Sequence, residues 1–193
     1  MQRGNLVSVL EQPLVFLDVE TTGASPRTGA KITEIGALRV EHGKVVKTFK
    51  SLLNPGTHVP PFITRLTGIS DDMLWDAPSF ISVKDELELL LSDAIFVAHN
   101  VSFDYSFIKA EFNAVGENFK MDRLCTARLS RALYPEQARH NLDTLITAHH
   151  IPMVNRHRAF DDAQALHIFV KSALKEHGSK VDLAMKRLLQ PAI

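Results

Sequence analysis

The segment FLDVETTG (residues 16–23) sets two carboxylates, Asp18 and Glu20, into an otherwise apolar run. Burying an unpaired charge is costly, so such acids call for basic side chains, water or a metal ion. Two positions apart along a strand, they project to the same side. Side by side they repel, and one is driven toward protonation unless a cation sits between them. Gly23 follows, where the backbone must turn or be approached closely. Two further segments carry acids beside a helix start. VAHNVSFD (97–104) places a polar cluster and Asp104 directly after a buried strand, a usual location for a site in α/β proteins. HRAFDDA (157–163) puts His157 ahead of a helix that opens on Asp161 and Asp162. Helical spacing puts Asp162 on a face with Leu166 and Phe169, and Asp161 with Ala165 and Ile168, which separates the two acids only weakly.

The elements that must position these residues follow from pattern. Residues 14–19 read as a buried strand, and 32–40 and 44–53 as two more, joined by a turn at Glu41-His42-Gly43-Lys44. Pro60-Pro61 opens a short helix ended by Gly68, and Ser70 is placed to cap a further turn. Amphipathic spacing predicts a helix over 79–91, then a short strand over 94–98 and a helix over about 102–115 ended by Gly116. Shorter helices are expected at 126–133 and 141–149, a longer one at 159–175 with Gly178 beyond its end, and a last one near 180–189. This order suggests an α/β protein, a mixed sheet with helices packed on it.

The chain has 193 residues, of which 45% are hydrophobic and 23% charged. That is long enough for one domain with a sizeable core. No linker divides it, so residues 1–193 are read as a single domain with a motif-bearing core over about 13–175 and a short helical extension, 179–193. Neither a leader-like apolar segment nor a membrane-length window is evident, and the lone Cys125 suits a reducing compartment. A cytoplasmic location is expected on that ground. Net charge is zero, but residues 71–111 hold nine acidic and two basic side chains, whereas 120–160 hold seven basic and three acidic. Such asymmetry could guide a phosphate backbone to one side, or be two solvated faces of opposite sign.

Taken together, DVETTG, HNVSFD and HRAFDDA resemble the three motifs of the DEDDh (DnaQ-like) 3′–5′ exonucleases, in order and spacing. HNLDTL (140–145) and RLTGISDDML (65–74) are similar to further segments of the family, nearest to the proofreading exonucleases of bacterial replicative polymerases. The resemblance covers about residues 13–175. It implies an RNase H-like fold, a mixed five-stranded sheet flanked by helices. By position it makes Asp18, Glu20, Asp104 and Asp162 the metal-binding acids and His157 the general base, with Glu20 also catalytic. The spacing H-x-A-x-x-D selects Asp162 over Asp161. Thr21 and Thr22 match the position that contacts the 3′ end, and His99, Asn100, Phe103 and Leu66 are expected near the substrate.

The residue types suit the chemistry. Two divalent ions roughly 4 Å apart can activate water and neutralise a departing 3′-oxygen. Mg²⁺ or Mn²⁺ prefers carboxylate oxygen, and four acids without a Cys cluster argue against structural zinc. An imidazole with an ordinary pKa near 6.5 can take a proton close to neutral pH.

The function expected is metal-dependent hydrolysis from the 3′ end of DNA, single-stranded or frayed, releasing nucleoside 5′-monophosphates in proofreading or repair. An RNA 3′-end-trimming enzyme is the alternative within the fold, and a non-catalytic nucleic-acid-binding module the alternative outside catalysis. The intact set of four acids and His157 argues against the latter. No polymerase fits in this chain, so proofreading would need a polymerase subunit as partner. Only about fifteen residues follow the motif-bearing helix, short of the extension by which replicative exonuclease subunits hold theirs, which suits a free-standing enzyme or an excised domain.

Overall fold

In the computed structural model, residues 8–192 are described, so residues 1–7 and 193 lie outside the described residues. Five strands form one sheet in the order β3-β2-β1-β4-β5. They are β1 (Leu14–Thr21), β2 (Ile32–Glu41), β3 (Lys44–Leu52), β4 (Ile95–Ala98) and β5 (Arg123–Cys125). The first three are antiparallel neighbours, while β1 pairs with β4 and β4 with β5 in parallel. The β2–β3 hairpin closes on His42 and Gly43, which both have positive φ. That is the geometry of a turn whose twist matches the flanking strands. The expected mixed, five-stranded sheet flanked by helices is the observed one.

Alternation along β1 divides the core. Val15, Leu17 and Val19 face one layer, with α3 (Phe80–Leu91) and α4 (Ser102–Ala114). Leu14 and Phe16 face the other, where α7 (Ala159–His177) supplies Ala163, Leu166, Phe169 and Val170. Asp18 and Glu20 continue the α7-facing set, since side chains two apart share a face. Gly36 on β2, the register partner of Asp18, lies where α7 begins. A Cβ on Gly36 would stand 2.1 Å from the backbone nitrogen of Phe160. Only glycine lets this helix start come down onto the sheet.

Between β3 and α3, α1 (Pro61–Thr67) and α2 (Asp71–Leu74) enclose a small core of Val59, Ile63, Ile69 and Leu74. Gly68 ends α1 in the left-handed region, as expected. Ser70 occupies the cap position of α2, but its side chain makes no cap hydrogen bond. The loop is tied instead by the Asp71 carboxylate, which accepts from Val59 N–H at 2.7 Å and meets His58 Nδ1 at 2.8 Å.

The remaining helices are α5 (Thr126–Leu133), α6 (Leu142–Ala148) and α8 (Ser179–Leu188). The long helix runs to His177, two residues past its expected end, with Gly178 at the cap. The C-terminal extension closes back on the body: Asp182 on α8 accepts from the Ser8 hydroxyl and Val9 N–H, both at 2.8 Å, and Arg123 pairs with Gln190. Three-residue β5 carries too few positions for periodicity to announce it. Among the described residues, no helix is long and apolar enough to cross a membrane.

Candidate active site

The site forms where β1 outruns β4. Parallel pairing ends at Phe16–Val97 and β4 stops at Ala98, yet β1 continues through Asp18 and Glu20 to Thr21. Beyond that last pair, Val19 N–H donates to Asp104 Oδ1 at 3.2 Å. The connection that brings Asp104 there turns at Asn100, whose φ lies in the left-handed region. The Asn100 carbonyl then accepts from Phe103 N–H at 2.8 Å, starting the helix that carries Asp104. Asp104 is 2% exposed.

From the other layer, α7 delivers Asp162, also 2% exposed. Ligand atoms of Glu20, Asp162 and His157 all lie within 4.8 Å of one another. His157 also has a left-handed φ. That conformation costs a residue bearing a β-carbon roughly 1–3 kcal/mol, which the surrounding contacts must hold. Asp161 turns elsewhere: its carboxylate accepts from Asn155 N–H at 3.2 Å and from Asn155 Nδ2 at 3.1 Å, fastening the loop ahead of His157.

Burial first, and neighbouring carboxylates second, raise the pKa of these acids. Burial pushes Asp18 well above the usual carboxylate range, with Asp104, Asp162 and Glu20 adding to it. Burial lifts Asp104 to about 8, against the pull of its backbone hydrogen bonds. Glu20 rises to about 7, by burial first and then by Asp162 and Glu34, while Arg156 and Arg158 oppose. Asp162 rises to about 6 through burial, against Arg156. The His157 imidazole is held below its ordinary value by burial and by Arg156.

This arrangement fits a divalent cation. Asp162 Oδ1 is buried without a hydrogen-bond partner, and one oxygen of its carboxylate lies within 4.8 Å of a Glu20 oxygen from β1. A hard cation there would relieve both the orphaned oxygen and the mutual repulsion. The protein's own positive charges here are Arg158 and Arg156; the Arg156 guanidinium pairs with Asp162 and, through Nε, with Asp143 at 2.6 Å.

The residues expected near substrate have varied roles. The Thr21 hydroxyl donates to the Gly23 carbonyl at 2.8 Å, and the Thr22 hydroxyl accepts from Lys31 N–H at 2.9 Å, so both shape the turn after β1. His99 Nδ1 meets the Thr126 hydroxyl at 3.0 Å, and burial holds its imidazole down at about 4. Phe103 is 38% exposed, its ring 5.0 Å from that of Phe107. Leu66, on α1, is 53% exposed. Sequence reasoning does not single out Arg156, Asp143, Glu34 or Gly36. Glu34 carries the same signal as Asp18, a carboxylate in an apolar strand, and Gly36 the signal of a glycine inside one.

The comparisons with known proteins agree with this geometry. A family model described as "Exonuclease" matches residues 15–169. The chain is 38% identical over 180 residues to a PolC-type DNA polymerase III of Caldanaerobacter subterraneus subsp. tengcongensis, covering 92% of this chain and 13% of that protein. It is 38% identical over 155 residues to the 3′-5′ exonuclease DinG of Bacillus subtilis, covering 80% of this chain and 17% of that one. The chain thus spans less than a fifth of these relatives. Among solved structures, exonuclease X in complex with 5′-overhanging duplex DNA superposes with a TM-score of 0.69 at 22% identity, over 90% of this chain and 98% of that one. The nuclease domain of 3′hExo, a DEDDh family member bound to rAMP, gives a TM-score of 0.72 at 17% identity, over 87% of this chain and 94% of that one. With the matched span running from β1 into α7 and so enclosing Asp18, Glu20, Asp104, His157 and Asp162, the chain belongs to the exonuclease family.

Proposed function

We propose that the chain hydrolyses phosphodiester bonds from the 3′ end of DNA, releasing nucleoside 5′-monophosphates. The observation that carries this reading is the convergence of Glu20, Asp162 and His157 within 4.8 Å at the open end of β1, beside half-buried Asp18 and buried Asp104. Asp18, Glu20, Asp104 and Asp162 would hold two Mg²⁺ or Mn²⁺ ions, which supply an activated nucleophile and neutralise charge on the leaving oxygen. Around them, this chain's residues bind and orient. Phe103 offers an exposed ring to the terminal nucleotide, and Leu66 an apolar edge for its base. Asn100 and His99 support the loop that carries Asp104.

His157 takes the proton. Burial and Arg156 keep its imidazole neutral at physiological pH, so the ring can accept one from the attacking water. Thr21 and Thr22 fix the turn against which the 3′ end is read. The relatives named for polymerase III favour DNA, and they suggest the neighbourhood of a polymerase as a partner. A second reading, RNA 3′-end trimming, rests on the fold shared with a nuclease bound to rAMP. Matched substrates separate the two. Rates on single-stranded DNA, mismatched duplex DNA and RNA of one sequence, with Mg²⁺ or Mn²⁺, are expected to rank DNA first. RNA degraded faster than both DNA substrates would replace this reading with the second.

A further inference from the structure

Glu34 stands beside the acids but is not one of the four. It is the register partner of Glu20 on β2, 7% exposed, in a strand rich in buried apolar residues. Left alone it would be a fifth carboxylate crowding the site. Instead its oxygens accept from Arg158 Nη2 at 2.7 Å and from Arg158 Nε at 3.1 and 3.2 Å, and Oε2 accepts from Ala159 N–H at 3.0 Å. Ala159 is the first residue of α7, and a first-turn N–H has no partner within its own helix. A carboxylate from the sheet therefore caps the helix that carries Asp162, at the end where negative charge is favoured.

The consequence reaches the chemistry through short covalent and hydrogen-bonded links. Arg158 follows His157 directly, and its carbonyl accepts from Asp162 N–H at 3.0 Å. Holding Arg158 and Ala159 thus fixes both the left-handed turn at His157 and the first-turn amide of Asp162. Gly36, two residues along β2, lets the same helix start approach, so one strand both admits and anchors it.

We infer that Glu34 is a positioning residue: by clamping Arg158 and the Ala159 amide it sets where His157 and Asp162 stand relative to Glu20. The inference rests on the function proposed above for that site, and it is testable separately from it. Glu34→Ala should lower the single-turnover rate on a short single-stranded DNA by about 10- to 100-fold, the scale of an ångström-sized misplacement. Half-saturating DNA concentration should stay within about threefold, because the clamp is not expected to touch the substrate. Glu34→Gln keeps a carbonyl oxygen for the Ala159 amide and should recover the rate to within about fivefold of wild type.

Amide hydrogen exchange in the metal-free protein reads the clamp without any catalysis. The Ala159 amide should exchange at least about tenfold faster in Glu34→Ala, and close to the wild-type rate in Glu34→Gln. Unchanged Ala159 exchange in Glu34→Ala would overturn the inference, as would a Glu34→Gln variant as slow as Glu34→Ala or a Glu34→Ala rate within threefold of wild type. A wild-type protein that degrades neither DNA nor RNA would overturn the functional reading instead, and the exchange order would then decide the clamp alone.

Discussion

At the scale of single residues, Asp161 and Asp162 pose the sharpest contrast. They are neighbours of one type, yet Asp162 has a buried, unpartnered oxygen and a carboxylate that groups with Glu20 and His157, while Asp161 fastens Asn155. Asp162→Ala should therefore remove nearly all cleavage and most of the thermal response to Mn²⁺. Asp161→Ala should leave both largely intact and loosen only the loop at Asn155. Thermal melts with and without Mn²⁺, alongside a cleavage assay, check the ranking, and its reversal would reassign the third motif. His157 tests a different role. As a general base, its replacement by Ala should slow the chemical step by roughly 10²–10⁴-fold while the Mn²⁺-induced stabilisation persists. Loss of that stabilisation in His157→Ala would make the imidazole a ligand, a role its distance to Glu20 and Asp162 also permits.

Among elements, the start of α7 decides whether the site assembles. A Cβ at Gly36 would meet the backbone of Phe160 rather than a movable side chain. Gly36→Ala should therefore destabilise the protein by at least roughly 1–3 kcal/mol, the usual cost of over-packing. Urea unfolding would measure this, and a loss under about 0.5 kcal/mol, the scatter of ordinary surface changes, would show that α7 yields easily. Much at this scale was legible in the sequence. Strands β1 to β4 and the long helices announce themselves through alternation, helical spacing and glycine stops, and the motif order points to the four acids. Less legible was what joins them. Glu34 and Arg158 lie 124 positions apart, and only the pairing of β2 with β1 and the descent of α7 bring them together. The Ser70 cap failed for a related reason: Asp71 ties that loop from the neighbouring position. Strand β5 is three residues long, below the length at which a pattern can be seen.

For the molecule as a whole, the acid cluster links metal, pH and stability. Glu20 and Asp104 sit at about 7 and about 8 in the folded protein, well above ordinary carboxylates. Between the unfolded values near 4 and these folded values, these two carboxyls bind more protons in the native state than in the unfolded state. Half-buried His99 and buried His167, held down at about 4, oppose this below the ordinary imidazole value near 6.5. Stability of the metal-free protein should therefore fall as pH rises from about 6.5 toward 8. Bound cations remove the penalty by mass action on the native state. The melting-temperature gain from saturating Mg²⁺ is therefore expected to be larger at pH 8 than at pH 6, and calorimetry at the two pH values checks it. An equal gain at both would mean that the acids are already ionised at pH 6. Substrate approach belongs to this scale too, since zero net charge leaves attraction to local patches.

The central claim, a cation-dependent nuclease that works inward from a 3′ end, is tested most directly by polarity. A single-stranded DNA labelled at its 5′ terminus should, with Mn²⁺, give a ladder that shortens one nucleotide at a time and keeps its label. The ladder should vanish with a chelator and in Asp162→Ala. Early release of the label as a mononucleotide, internal cuts, or cleavage that survives in Asp162→Ala would contradict the account.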